Sequence, residues 1–187
     1  MSIKKLLFAA FILTGLLQAE NSIGIDVNKA DVEILGSINI NALADYANGT
    51  TYNLTAEYLY TAGDNMTSIG FSGQNSLHGV EGLTLAFGLK SVLASDFLAF
   101  PFMIKGIYDF SLIDAIPPTS LVLGFAYAPS VLSFRDAHNY IDFRAELNMQ
   151  VISNIDVFTG YRNIDTRYVE YDKTFNDSFY FGMKINF

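Results

Sequence analysis

The feature that most constrains the fold of this chain is a period-two alternation of apolar and polar side chains. In residues 140–151, every second residue from Ile141 onward is apolar, and the residues between them are almost all polar. Successive side chains of a β-strand point to opposite faces, so this segment predicts a strand with one apolar and one polar face. The pattern recurs along the chain and helical periodicity is absent after the first twenty residues, which predicts an all-β domain.

The number of strands follows from counting these segments. We find nine clear candidates and a short tenth, near residues 23–27, 32–40, 51–60, 66–73, 81–91, 97–110, 119–128, 139–151, 154–165 and 178–187. If these strands form a bacterial outer-membrane barrel, their number is even, they are antiparallel and both termini lie in the periplasm. We therefore predict ten strands, with eight as the alternative. The extracellular loops would then include residues 61–65, 91–96, 129–137 and 166–177.

The first residues have the features of an export signal. Lys4 and Lys5 precede an apolar stretch at residues 6–17 that is too short to span a bilayer as a helix. We predict a signal peptide at residues 1–19, cleaved after Ala19, and one barrel domain at residues 20–187. The chain has no Cys, which excludes a lipoprotein anchor, a disulfide framework and thiolate chemistry. Its net charge of −8 argues against a nucleic-acid partner.

The polar faces distinguish a membrane barrel from a soluble sandwich. A sandwich would place its polar face in water, whereas a barrel encloses it in a narrow lumen with glycines and paired charges. The polar faces carry seven acids and five bases, interleaved with glycines: Asp26, Glu33, Glu57, Asp109, Asp142, Glu146 and Asp156 with Lys90, Lys105, Arg144, Arg162 and Lys184. This near balance, together with aromatic residues at the strand ends, predicts a closed antiparallel transmembrane β-barrel. We place it in a Gram-negative outer membrane, in contact with lipid and lipopolysaccharide.

The last strand adds an independent signal. It ends in an apolar face that is similar to the sequence by which outer-membrane barrels engage their assembly machinery: Phe179, Phe181, Met183, Ile185 and Phe187. In a soluble sheet, an exposed edge strand of this kind would be an aggregation hazard. The barrel assembly machinery is therefore an expected partner.

Short motifs in the second half of the chain resemble a known family. Residues 127–140 contain Ala-Pro-x-x-Leu-Ser-Phe, and residues 160–166 begin Gly-Tyr-Arg before the Phe-rich terminus. In their order and spacing these motifs resemble the YfaZ family of small outer-membrane proteins. The resemblance implies an outer-membrane or exported β-barrel and assigns no biochemical activity.

The charges of the lumen raise the question of a plug or a pore. Barrels of eight to ten strands have interiors that side chains can fill. We predict a salt-bridged plug centred on Arg144 between Asp142 and Glu146, formed by ten residues: Glu57, Lys90, Lys105, Asp109, Asp142, Arg144, Glu146, Asp156, Arg162 and Lys184. The alternative is a narrow porin-like channel for small solutes or ions, lined by the same residues.

Catalysis has little support in the sequence. Asp136 and His138 could form a base and its orienting carboxylate, which makes an outer-membrane hydrolase using His138 a third hypothesis. No metal, phosphate-loop or serine-hydrolase motif occurs, so we expect no cofactor and no enzymatic activity. We therefore predict a monomeric barrel with a structural or surface-interaction role, in which the last loop, with Tyr168, Tyr171 and Phe175, forms the contact surface.

Overall fold

The computed structural model describes residues 21–41, 49–110, 117–168 and 172–187. The predicted signal peptide lies outside these residues. Twelve strands are present in the described part of the chain: β1 Ser22–Val27, β2 Asp31–Asn39, β3 Thr51–Thr61, β4 Asp64–Ser76, β5 Leu83–Ala94, β6 Phe97–Ala99, β7 Phe102–Asp109, β8 Thr119–Ala128, β9 Ser133–Arg135, β10 Ala137–Ile152, β11 Ile155–Tyr168 and β12 Asp172–Asn186. No helix among the described residues is long and apolar enough to cross a membrane.

The strands close into one antiparallel barrel. Each strand of the wall pairs with its neighbours along the chain, and β1 pairs with β12 from Ser22↔Asn186 to Val27↔Phe181. Strands β6 and β7 both pair with β5, so they are two parts of one wall strand that is interrupted at Pro101. The short strand β9 pairs only with β6 and extends the wall at its rim. The wall therefore has ten strands, which confirms the predicted number over the alternative of eight.

The outer surface of the barrel is apolar. The apolar face that the sequence predicted for each strand points outward. Large side chains on this surface, such as Phe87, Phe102 and Phe179, are 58%, 59% and 76% exposed. Monomeric soluble proteins do not leave a continuous apolar surface of this extent in water. This surface therefore faces lipid, as in barrels whose strands cross a membrane.

The two ends of the barrel differ in their connections. The predicted extracellular loops lie at one end, together with the β1–β2 turn at residues 28–30; we name this the loop end. Residues 21 and 187 lie at the opposite end, the terminus end, where Asn21 and Phe187 exchange backbone hydrogen bonds. The loop end includes the turn at residues 62–63, where Gly63 adopts a positive φ of 93° that favours glycine.

An apolar cluster occupies much of the interior of the loop end, beside buried polar residues such as Asp31 and Asn176, and the sequence analysis did not predict it. The aromatic ring of Phe97 is completely buried and lies 5.9, 6.4 and 6.2 Å from the rings of Tyr140, Tyr168 and Phe175. Eight further inward-facing residues of the wall surround these rings. We name this cluster the apolar plug: Leu59, Met66, Val92, Ala94, Phe97, Ala99, Ala128, Ala137, Tyr140, Ile164, Tyr168 and Phe175.

This plug corrects the predicted contact surface. Tyr168 and Phe175 are only 6% and 7% exposed, so they cannot present an interaction surface on the last loop. The strand pairing of β11 with β12 slips by one residue after Ile164, so that Phe175 and Asn176 are both buried. Such a β-bulge directs two consecutive residues to one side, which simple alternation cannot anticipate. Tyr171 lies outside the described residues.

Two inward-facing glycines allow aromatic rings to lie against the wall. A Cβ atom at Gly160 would be 2.6 Å from the ring of Tyr180, and one at Gly182 would be 2.3 Å from the ring of Phe158. At Gly182 the same Cβ would also be 2.5 Å from the carbonyl oxygen of Ile25 on the neighbouring strand. Gly182 is therefore required by both the ring and the seam at which β1 and β12 close the barrel.

We predict that Gly182→Ala destabilises the barrel by about 1–3 kcal/mol, since overpacking forces rings and backbone to move. Gly106→Ala is the matched control, because its Cβ would meet nothing closer than 3.8 Å. The measurement is urea unfolding of the protein refolded in lipid vesicles, followed by the mobility of unheated samples on gels. Equal midpoints for the two variants would contradict the assigned packing at the seam.

Candidate functional site

A layer of charged side chains fills the lumen directly beneath the apolar plug. It is built from inward positions of β1, β2, β3, β5, β10 and β11, where the polar face of each strand points into the barrel. We name it the ion layer, and it consists of four acids and three bases: Asp26, Glu33, Glu57, Asp142, Lys90, Arg144 and Arg162.

Glu33 is the acceptor at the centre of the ion layer. Its carboxylate accepts two hydrogen bonds from Arg144, at 2.9 Å from Nη1 and 3.0 Å from Nη2. Nη1 of Arg162 also donates to Glu33. Both Glu33 and Arg162 are completely buried, so neither charge is neutralised by solvent. A paired geometry of this kind is what a buried charge requires.

The second half of the ion layer is centred on Lys90. Its ammonium group donates to Glu57 at 2.8 Å and to Asp142 at 3.4 Å. Arg144 also lies 3.3 Å from Asp142 and 3.5 Å from Glu57, which joins the two halves. The hydroxyl of Tyr140 donates to Asp142 at 3.3 Å, so a ring of the apolar plug is bonded to the charges below it.

One member of the ion layer is poorly satisfied. Asp26 is buried and neither of its carboxylate oxygens has a hydrogen-bond partner in the described part of the chain. Its nearest described cation is Arg162, whose Nη1 lies 3.5 Å from Oδ2. Arg162 therefore faces two acids, Glu33 and Asp26, and also donates from Nε to Asn176 at 3.0 Å.

The structure brings together half of the predicted network. Five of the ten residues lie in the ion layer: Glu57, Lys90, Asp142, Arg144 and Arg162. At the predicted centre, Arg144 contacts Asp142, and its other partners are Glu33 and Glu57. Glu146 instead pairs with Lys184 at 3.7 Å and accepts from the Tyr180 hydroxyl at 3.1 Å.

The remaining predicted residues lie nearer the terminus end. Asp156 accepts a hydrogen bond from Asn186 at 2.8 Å. Asp109, Asp156, Ser120 and Asn148 line a shallow hollow of the terminus end. Neither Asp109 nor Lys105 forms an ion pair with a described residue. The predicted network is therefore divided between the ion layer and a looser set of charges below it.

The ten-residue network lacked two acids that the structure places in the ion layer. Asp26 and Glu33 are on the polar faces of β1 and β2, and their alternation with apolar residues was the available signal. Two lumen aromatics were also missed, Phe158 and Tyr180, whose rings pack at 6.1 Å. Arg162 lies 5.0 Å above the Tyr180 ring and Lys184 lies 5.2 Å above the Phe158 ring, so cation–π contacts accompany the ion pairs.

A cavity of about 240 Å³ lies between the ion layer and the terminus end. Side chains of the ion layer form its inner boundary, and Met103, Lys105, Glu146 and Lys184 line its walls. The pair of Lys184 and Glu146 in its wall is partly exposed, at 26% and 16%, whereas Lys90 and Asp142 at its inner boundary are buried. The interior is thus closed at the loop end and accessible toward the terminus end.

The predicted assembly residues face outward on β12. Phe179, Phe181, Met183 and Ile185 are exposed on the lipid-facing surface, and Phe187 follows the end of the strand. This placement agrees with an apolar strand face that remains accessible. Recognition by the assembly machinery remains a prediction.

The described residues assemble no catalytic constellation around His138. His138 and Asp136 are exposed, and no hydrogen bond joins them. The hydroxyl of Ser133 donates to the carbonyl oxygen of Pro129 at 3.1 Å, and so does not face an imidazole base. No group of three or more metal-ligating side chains occurs in the part of the chain that the structure describes.

Residues 104–187 match the YfaZ family model. The model carries the description "YfaZ precursor", and the matched region runs from β7 to the end of the chain. It contains Asp142, Arg144 and Arg162, so three members of the ion layer lie in the YfaZ-like region. This match confirms the resemblance predicted from the sequence motifs.

Solved structures with a similar fold include two that are described as porins. A structure described as "KdgM porin" is 11% identical, with 90% of this chain and 99% of that chain covered and a TM-score of 0.47. One described as "NanC porin structure in rhombohedral crystal form" is 9% identical, with 89% and 98% covered and a TM-score of 0.42. No curated protein sequence matches the chain. The protein is a ten-stranded antiparallel β-barrel, and its residues 104–187 resemble the YfaZ family.

We predict that Arg162→Met destabilises the folded barrel by about 3–5 kcal/mol, because it leaves Asp26 and part of the Glu33 charge buried without a partner. Lys173→Met is the matched control, since Lys173 pairs with Asp64 at 2.6 Å where both side chains are partly exposed. Removing such a rim pair costs about 0–1 kcal/mol. Urea unfolding in lipid vesicles measures both changes. An Arg162→Met barrel as stable as the Lys173→Met barrel would show that the ion layer does not stabilise the fold.

Proposed function

We propose that this protein is a sealed, monomeric, non-enzymatic barrel of the Gram-negative outer membrane, with a structural or surface-interaction role. The observation that carries the proposal is the complete burial of Phe97 among three aromatic rings at the loop end of the lumen. These packed rings occupy the centre of the lumen at the loop end, and the buried polar groups beside them are bonded to one another, with Asn176 donating to Asp31 at 2.8 Å. The lumen therefore acts as a packed core.

The ion layer reinforces this seal. Glu57 on β3 and Arg144 on β10 lie 3.5 Å apart although four wall strands separate them in either direction around the barrel. The contact therefore crosses the lumen from one wall to the other. Glu33 on β2 and Arg144 form a second link across the barrel. These links hold the walls at a fixed separation and occupy the space that a permeating ion would need.

The loop end supplies the surface for interaction. Tyr168 and Phe175 belong to the apolar plug, so exposed acids of the rim take their place in the proposed contact surface. These acids are Asp96, Asp136, Asp172 and Asp177. The loop end faces the cell exterior in this proposal, because the first and last strands of the barrel begin and end at the opposite side, which is periplasmic. Lipid and lipopolysaccharide surround the apolar outer surface.

A narrow channel is the second candidate function. It is favoured by the charged cavity of about 240 Å³ between the ion layer and the terminus end. For that cavity to be part of a channel, the apolar plug would have to open. Measuring conductance therefore separates the two functions.

We predict that the wild-type barrel gives no stepwise conductance in planar lipid bilayers. Phe97→Ala removes the ring at the centre of the plug and is expected to raise the ionic leak, because it leaves a cavity at the loop end. Phe134→Ala is the matched control, since this ring is 47% exposed at the same rim. Each variant is first checked for the mobility shift on heating that a folded barrel shows.

Stable conductance steps from the wild-type barrel would reject the sealed lumen and favour the channel. If Phe97→Ala does not fold, the wild-type recording still decides between these functions. A His138→Ala variant, assayed for lipid A and peptide turnover beside the wild type, tests the remaining hypothesis of a hydrolase. Turnover by the wild type that the variant loses would replace the non-enzymatic proposal.

A further inference from the structure

The cavity at the terminus end contains one lysine that no described carboxylate neutralises by contact. Lys105 on β7 lines the cavity and has no acidic partner within 4.0 Å among the described residues. The other two lysines of the cavity are paired, Lys90 with Glu57 at 2.8 Å and Lys184 with Glu146 at 3.7 Å. Lys105 is therefore a cation available to a ligand inside the barrel.

The charges that line the cavity have a positive balance. Four bases and three acids contribute to its surface: Lys90, Lys105, Arg144 and Lys184 with Glu57, Asp142 and Glu146. The two further acids of the ion layer, Asp26 and Glu33, are at most 1% exposed and do not line the cavity. Asp109 and Asp156 line a separate hollow. Because Glu33 pairs with Arg144 at 2.9 Å from behind the cavity surface, the attraction for an entering anion comes from Lys105, the lining base that contacts no described acid.

The rest of the wall suits a small polar ligand. Ser22 and Ser37 line the cavity with hydroxyl groups that can donate hydrogen bonds. Gly124 adds no side chain, and a Cβ atom there would have its nearest neighbour at 3.9 Å, so this part of the wall leaves room. The volume of about 240 Å³ is smaller than the roughly 300–1,000 Å³ of pockets for drug-sized molecules.

We propose that this cavity binds a small oxyanion, with one or two carboxylate or phosphate groups, that enters from the terminus end and is contacted by Lys105. The ligand supplies the negatively charged partner that no described residue provides to Lys105. The hydroxyl groups of Ser22 and Ser37 donate hydrogen bonds to the oxygens of the ligand. The ion layer forms the closed end of the site. This role goes beyond a sealed structural barrel and does not require the lumen to conduct.

The test is equilibrium dialysis of the folded barrel in detergent micelles with two probes, radiolabelled inorganic phosphate and radiolabelled succinate. We expect saturable binding of at least one probe, at one site per chain. Phosphate bound more tightly identifies a phosphate ligand, and succinate bound more tightly identifies a carboxylate ligand. Either result supports the oxyanion site.

Two variants assign the site to Lys105. Lys105→Met is expected to weaken binding at least ten-fold, whereas Lys105→Arg retains a cation and is expected to retain binding. Lys173→Met is the matched control, because it removes a lysine from the loop end and is expected to change affinity less than two-fold. Each variant is used only after the mobility shift on heating has shown that it is folded.

The proposal is overturned if neither probe binds saturably to the wild type, or if Lys105→Met binds as tightly as the wild type. The wild-type result alone decides the matter if the Lys105 variants do not fold. Conductance recorded from the same preparation is a separate readout. A conducting barrel that binds the probe would reject only the seal, and a sealed barrel without binding would reject only this site.

Discussion

The structure depends on one constraint, which is that a backbone in lipid must satisfy its hydrogen bonds within the protein. The seam between β1 and β12 meets this constraint, since it removes the two free edges that the sheet would otherwise have. A closed barrel of ten strands has little free space inside. Closure therefore determines what the interior must be: its side chains must pack, and its charges must find partners on other strands.

The interior is divided along the barrel axis, and each part affects the other. The apolar plug covers the charges beneath it, of which Glu33 and Arg162 are completely buried, so these charges depend more strongly on one another. Two residues connect the parts. Tyr140 packs against Phe97 and donates to Asp142, while Asn176 follows Phe175 of the plug and accepts from Arg162. Movement of the plug would therefore disturb the hydrogen bonds of the ion layer.

The sequence was sufficient for the strands but not for the contacts across the lumen. Period-two alternation indicates which residues of a strand face inward, and it placed Asp142, Arg144 and Arg162 correctly. The partner of Arg144 could not be read in this way. Glu33 precedes it by 111 residues, and only the stagger between strands around the closed barrel brings their side chains together.

The apolar plug shows a second limit of the same reasoning. Alternation assumes regular pairing, and the bulge at Phe175 breaks that regularity in β12. Inward apolar residues such as Leu59 and Ile164 are also indistinguishable, in composition alone, from residues of the lipid-facing surface. Their burial becomes apparent only when the neighbouring strands are aligned. Inward-facing glycines indicate more directly where an aromatic ring packs inside the barrel, because the ring against Gly182 needs the space that a side chain would occupy.

The apolar plug separates the polar residues of the loop end from those of the terminus end, and each set can bind a ligand in a barrel that does not transport. Exposed acids such as Asp96 and Asp136 lie at the loop end, beyond the apolar plug, whereas Lys105 lies on the other side of it. A molecule bound to one set of residues cannot contact the other while Phe97 remains packed. The barrel can therefore present two chemically different surfaces, one acidic and outside the lumen and one cationic and inside it. The same packing that stabilises the fold keeps these surfaces independent.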